Sequence, residues 1–195
     1  MPRMSSEIIP VGQRKATAGW NVLVTLAEPT YRAARNLLAR WGRLQRTEYH
    51  NVATMAVVDP AAFLREFGEA VEQSPGILNA VSHVVPFEHM LDFKDPAEFE
   101  AKAREVALSY VPQLLGKSFH VRFHRRGLKG TLSTPVEERF LDEALLEALA
   151  TAGSPGRIRF EDPDCVLLIE TVGQRGGLAL FTREDLQRYP FLGAI

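Results

Sequence analysis

The sequence predicts an α+β protein of two units, and three observations carry that expectation. Short β-branched apolar runs alternate with stretches whose apolar residues recur at helical spacing, the pattern of mixed sheet-and-helix layers. The elements read over residues 20–93 follow the order strand, helix, strand, strand, helix, strand, and a second alternating set follows over residues 94–195. At 195 residues and 46% hydrophobic, the chain can bury a sizeable core. It holds no apolar run of the roughly 18 residues needed to cross a bilayer.

Residues 1–19 read as an N-terminal extension without the basic start and apolar run of a secretory signal. Residues 21–26 (NVLVTL) are apolar and β-branched, as a buried strand should be. Pro29 and Thr30 open a helix in which Ala33, Ala34, Leu37, Leu38 and Trp41 recur on one side, while Arg32, Arg35, Arg40 and Arg43 line the other. Residues 44–49 alternate as a half-buried strand, and residues 52–58 form a second. Asp59 and Pro60 start the next helix, with Phe63, Leu64, Phe67, Ala70 and Val71 inward, and Pro75-Gly76 stops it. Residues 77–87 close the unit as a strand. This order is the split β-α-β, or ferredoxin-like, arrangement: a four-stranded antiparallel sheet with two helices on one face.

In the second unit, Pro96 begins a helix through Phe99, Ala103, Val106 and Tyr110 to about Leu115, ended by Gly116. Residues 119–124 (FHVRFH) alternate strictly, so Phe119, Val121 and Phe123 face one way and His120, Arg122 and His124 the other. A basic turn, residues 125–130 (RRGLKG), comes next. Thr134, Pro135 and Glu137 then have the spacing of a capping box with Thr134 as the N-cap. The helix it starts buries Phe140, Leu141, Ala144, Leu145, Ala148 and Leu149 and stops at Gly153. Residues 166–171 read as a central strand, 178–181 as another, and 182–188 as a short helix.

A formal net charge of −1 argues little against a nucleic-acid partner, because the charges are segregated. Residues 1–50 carry +5 and residues 51–110 carry −6; residues 111–130 hold five Lys/Arg and no Asp/Glu; the remainder carries −5. Two basic islands thus stand in an acidic background.

The densest chemistry lies in residues 119–134. A strand ending in Arg125-Arg126, a glycine turn bearing Lys129, and a helix start place cations beside amide donors, which suits a phosphate. Gly127 and Gly130 permit the positive φ and close backbone approach such a turn needs. Glu137 and Glu138 in the first helical turn would answer part of that dipole themselves, so a solvated basic turn is the competing reading. The spacing is not that of a P-loop, and no G-x-G-x-x-G follows a strand. His50, His83, His89, His120 and His124 show no metal-ligand spacing, and the one cysteine, Cys165, excludes an internal disulfide. Cys165 has Asp162 and Asp164 for neighbours, which raise a thiol's pKa and favour a core role over a nucleophilic one. No G-x-S-x-G motif is present. The expectation is a chain with no catalytic residues, no metal and no cofactor.

The run 119–130 (FHVRFHRRGLKG), followed by Ser133 and a Glu-containing helix, resembles the THUMP domain, a module of tRNA-modifying proteins. Residues 160–164 (FEDPD) and the strand after them are similar to that family's acidic-proline turn and strand. THUMP domains commonly follow a ferredoxin-like domain, so the likeness extends over nearly the whole chain. The closing stretch 186–191 and the chain end soon after it are similar to the stand-alone class, typified by the tRNA acetylation adaptor of N4-acetylcytidine formation. The resemblance implies an α/β THUMP domain over 94–195 and a cytoplasmic, noncatalytic protein. It would grip the acceptor stem and 3′ end of tRNA for a separate modifying enzyme such as an acetyltransferase. Its RNA-binding residues would be Arg122, Arg125, Arg126, Lys129 and Ser133, with Gly127 and Gly130 shaping the turn. A protein-interaction adaptor and an effector-binding ferredoxin-like protein, each with little RNA contact, are the alternatives.

Overall fold

The computed structural model describes residues 19–27 and 30–193; the expected N-terminal extension up to residue 18 and the helix-opening Pro29 lie outside the described residues. The first elements are β1 (Val22–Leu26), α1 (Tyr31–Leu38), β2 (Gln45–Arg46), β3 (Val52–Met55), α2 (Pro60–Gln73) and β4 (Val81–Pro86). They are followed by β5 (His89–Asp92), α3 (Pro96–Ser109), α4 (Val111–Leu114), β6 (Ser118–Arg126) and α5 (Thr134–Thr151). The last are β7 (Arg157–Ile158), β8 (Cys165–Val172), β9 (Arg175–Thr182) and α6 (Arg183–Arg188), with 3-10 turns at Pro75–Asn79 and Pro190–Leu192.

Two sheets result, as a mixed α and β pattern requires. The first has the order β2-β3-β1-β4 with every neighbour antiparallel. The second has the order β5-β9-β8-β6-β7; β8 runs parallel to β6 and antiparallel to β9. His89–Asp92, just ahead of the expected division near residue 93, pair with β9 and so belong to the second sheet.

One core gathers β1, β3, β4, α1 and α2 with Val166, Leu168, Ala179 and Phe181 from the near face of the second sheet. The other gathers Cys165, Leu167, Ile169 and Leu178 from its far face with α3 and α5. β8 therefore packs on both sides, which is why it reads as an unbroken apolar run instead of an alternating one. Burial on this face also pushes the Cys165 thiol up from its usual range. The 3-10 turn at Pro190–Leu192 returns to the first core: Phe191 meets Phe67 edge-on at 4.8 Å, and Tyr189 lies so close to Gly68 that a Cβ there would sit 2.4 Å from its ring.

Several expected boundaries move, each for a local reason. On α1 only Ala34 and Leu38 are buried, while Ala33 and Leu37 face out, because a two-turn helix presents a single i, i+4 pair squarely to the sheet. Strand pairing at residues 44–49 is limited to Gln45–Arg46, and residues 77–79 finish a 3-10 turn ahead of β4. The long helix expected to reach Leu115 breaks at Tyr110, two residues before Pro112. The capping box expected at Thr134 does not form. The first turn closes on the Ser133 carbonyl, which accepts from Val136 N and Glu137 N at 3.0 Å each, so Ser133 is the N-cap and Thr134 is already helical. A capping box is instead made by Thr182 and Asp185 at the start of α6.

β6 carries the basic residues, and its outer edge is finished by side chains. β7 pairs with only Ser118 and Phe119, which leaves the amides farther along β6 without a strand neighbour. The Val121 amide donates to Asp142 Oδ1 at 2.9 Å and the Phe123 amide to Glu138 Oε1 at 2.8 Å, two carboxylates one turn apart on α5. Covering a sheet edge with acceptors satisfies its donors and prevents pairing with another chain.

Candidate nucleic-acid interface

On β6, Phe119, Val121 and Phe123 enter the core beneath α3 and α5, as the alternation predicts. His120, Arg122, His124 and Arg126 take the opposite face. The first unit covers that face over β8 and β9, so its cover ends before the outer strand, and Arg122 is exposed. No side-chain partner is formed by Arg122 among the described residues.

The turn after β6 is built from backbone that L residues adopt with difficulty. Gly127 (φ +92°), Leu128 (φ +54°) and Gly130 (φ +82°) are all left-handed, and the Leu128 carbonyl closes the loop by accepting from Thr131 N at 3.0 Å and Leu132 N at 3.1 Å. Lys129 is exposed at the tip, with no partner among the described residues. Ser133 is exposed at the N-cap of α5, and its side chain makes no capping bond. The acidic residues expected to answer the helix dipole turn inward. Glu138 serves the Phe123 amide; Glu137 is 3% exposed, and burial with nearby Glu100 raises its carboxyl against the lowering effect of the Ser133 amide.

The seven residues expected to bind RNA divide into three groups. Arg122, Lys129 and Ser133 present free polar ends. Arg125 and Arg126 are spent on structure. Arg125 donates to the Gly127 carbonyl at 3.1 Å, folding back on its own turn, and Arg126 is ion-paired to Glu170 on the neighbouring β8. Glu170 is 4% exposed and also meets His124 Nδ1 at 3.3 Å. Sequence reasoning passed over Glu170, although a carboxylate inside an apolar strand is itself a signal, since a buried charge needs a partner. Gly127 and Gly130 hold the turn.

The first basic island meets this turn. A Cβ added at Gly127 would sit 2.4 Å from the Tyr49 hydroxyl, so the loop between β2 and β3 packs directly on it. Tyr49 also lines an open cleft of about 600 Å³ with Thr30, Tyr31, Arg46, Thr47 and His50. There the Arg46 guanidinium lies 3.9 Å over the Tyr31 ring, a cation-π contact that extends the cationic surface away from the turn. Arg40 is stacked in the same way on Trp41 at 3.9 Å. Trp41 itself packs edge-on against Phe63 and Phe67 and donates to Glu66 at 2.7 Å.

No group of His, Cys, Asp and Glu among the described residues is placed to hold a metal ion, and no helix among them is long and apolar enough to cross a membrane. The arrangement offers two exposed unpartnered cations, Arg122 and Lys129, and the exposed Ser133 hydroxyl. Such groups bind phosphate and sugar oxygens.

Comparison with known proteins bears on the fold. No protein-family model matches the sequence, and no curated protein matches it. Solved structures do match. PH1313 from Pyrococcus horikoshii superposes with a TM-score of 0.57 at 10% identity, covering 83% of this chain and 54% of that one. A 4-thiouridine synthetase in complex with RNA and ATP gives 0.56 at 12% identity over 84% and 41%. TrmN from Thermus thermophilus gives 0.54 at 18% identity over 82% and 44%. The chain thus spans about half the length of these proteins or less, and its fold is THUMP-like.

Proposed function

We propose that this protein binds tRNA without modifying it and presents it to a separate modifying enzyme. Its first unit, β1 through β4, is a ferredoxin-like domain, and the second, from β5 onward, is a THUMP domain whose β6 face and glycine turn grip the acceptor stem and 3′ end. The observation that carries the reading is the pairing of two unpartnered cations, Arg122 and Lys129, with a left-handed turn and an N-cap whose side chain is free. A-form RNA is recognised mainly through its shape, phosphates and 2′-hydroxyls, which cations, amides and hydroxyls contact. A THUMP-like fold supports the reading, since an RNA complex of a 4-thiouridine synthetase is among its structural neighbours. The protein works in the cytoplasm beside its enzyme, for which an acetyltransferase making N4-acetylcytidine is the leading candidate.

The test is binding of purified chain to tRNA at two salt concentrations. Arg122→Ala and Lys129→Ala should each weaken binding across tRNA species. Each should also flatten the dependence of log K on log salt by about 0.7–0.9, the share of one phosphate contact. Unchanged affinity in both variants would overturn the site. Modification of tRNA by the chain alone, given simple cofactors, would overturn the noncatalytic role.

A further inference from the structure

On the same face as Arg122, one strand alternation back, His120 is 7% exposed and its ring lies 5.4 Å from the ring of Phe160. Phe160 itself is 71% exposed. Leaving most of a phenyl ring in water forgoes much of the stabilisation its burial would bring, so such a ring is either incidental or in use.

Its surroundings favour use. The backbone beside it is pinned twice: Arg159 N donates to the Phe119 carbonyl at 3.0 Å, and His120 Nδ1 donates to the Arg159 carbonyl at 3.0 Å. The imidazole is thereby fixed against Phe160 at a 45° tilt between the rings, while most of the phenyl ring stays open to solvent. Arg122 lies about 7 Å along β6 from His120, at two residues of strand rise. Arg122 and Arg159 are both exposed, and neither has a side-chain partner among the described residues. An exposed aromatic ring with two unpartnered arginines on the neighbouring backbone matches the chemistry of a nucleotide, a flat base next to an anionic phosphate.

We infer that Phe160, supported by His120, is a stacking platform for an unpaired nucleobase, with Arg122 and Arg159 holding the adjoining phosphates. The inference rests on the proposed RNA binding and adds the class of RNA: one with a single-stranded nucleotide, since a base inside a helix keeps both faces stacked. His120 and Arg126 are six residues apart, about 20 Å along β6. The platform and the glycine turn would therefore engage separate parts of the same RNA.

The experiment measures affinity by fluorescence anisotropy for three RNAs: a hairpin with a single-stranded 3′ extension, the same hairpin ending blunt, and a loop-free blunt duplex. Phe160→Ala should weaken binding of a hairpin that supplies the unpaired base by about 5- to 100-fold, leave the duplex unchanged, and be rescued by Phe160→Trp. Loss confined to the extended hairpin identifies the 3′ end as the source of the base, and equal loss on both hairpins identifies the loop. A 2-aminopurine at the stacked position should be quenched on binding to the wild type and to Phe160→Trp but not to Phe160→Ala. Equal affinity of Phe160→Ala and wild type for both hairpins, with Lys129→Ala still weakened, would overturn the platform alone. Absence of wild-type binding to all three RNAs and to tRNA would overturn the proposed function with it.

Discussion

Asp142 gives the fold a pH dependence whose sign and size follow from its place on α5. Its carboxyl is 8% exposed, and burial, with Glu138 and Glu143 adding repulsion, pushes its pKa from 3.8 up to about 7 against the lowering effect of the Val121 amide. In the unfolded chain the group releases its proton near pH 4; in the folded protein it keeps it to about pH 7. Between those values the folded state binds more protons, so this group's contribution to stability falls as pH rises, and it levels off above pH 7. An interval of about three pH units at about 1.4 kcal/mol each sets an upper limit of about 4 kcal/mol. Asp142→Asn keeps an oxygen for the Val121 amide and removes the titration. Urea unfolding of both proteins from pH 4 to pH 8 should show equal stability at the acid end and a growing advantage for Asp142→Asn towards pH 8. A difference that stays constant across the range, or one that favours the wild type at pH 8, would show that Asp142 does not hold its proton in the folded protein as its burial requires.

The turn and its ion pair yield further expectations. Arg126→Ala leaves Glu170 buried with only His124 beside it, and should cost about 3 kcal/mol in chemical denaturation; replacing both Arg126 and Glu170 with leucine should cost less than the single change. Gly130→Ala meets nothing within 4 Å and should cost about 1 kcal/mol for its left-handed backbone alone, whereas Gly127→Ala also strikes the Tyr49 hydroxyl and should cost more. Adding Tyr49→Ala to Gly127→Ala should recover the excess in a thermal melt. Glu138→Ala exposes the Phe123 amide at the edge of β6 and should destabilise by about 1–2 kcal/mol, read by urea titration.

Long periodic segments were legible in the sequence, and short pairings were not. The stripe of Phe63 and Phe67 with Asp59 before Pro60 announces α2, and Asp59 does cap it, accepting from Ala61 N and Ala62 N at 2.9 and 3.0 Å. The alternation of 119–124 foretold which side chains of β6 enter the core beneath α3 and α5, though not that His120 on the other face is buried as well. β7 escaped notice because two residues cannot display a period, and β5 because its four residues become a strand only through pairing with β9, 83 or more positions away. The misplaced N-cap reflects two adjacent candidates, Ser133 and Thr134, separated only by which carbonyl closes the first turn. In the candidate site, charge placement marked the right stretch but could not divide it. Arg122 and Arg126 look alike in sequence; only the register between β6 and β8, which sets His124 opposite Glu170, shows that Arg126 is engaged and Arg122 is not. Tyr49 and Phe160 were missed for a related reason, since neither exposure nor a contact across distant chain segments is encoded in local pattern.

The proposed RNA site is the outward face of β6 and the glycine turn. Ultraviolet crosslinking of the full chain to tRNA, followed by peptide mapping, tests it most directly. Crosslinked peptides should come from residues 120–133 and 157–160, with the loop around Tyr49 alongside them. Crosslinks confined to the α2 and α6 surfaces, or a chain that forms no tRNA complex at low salt, would contradict it.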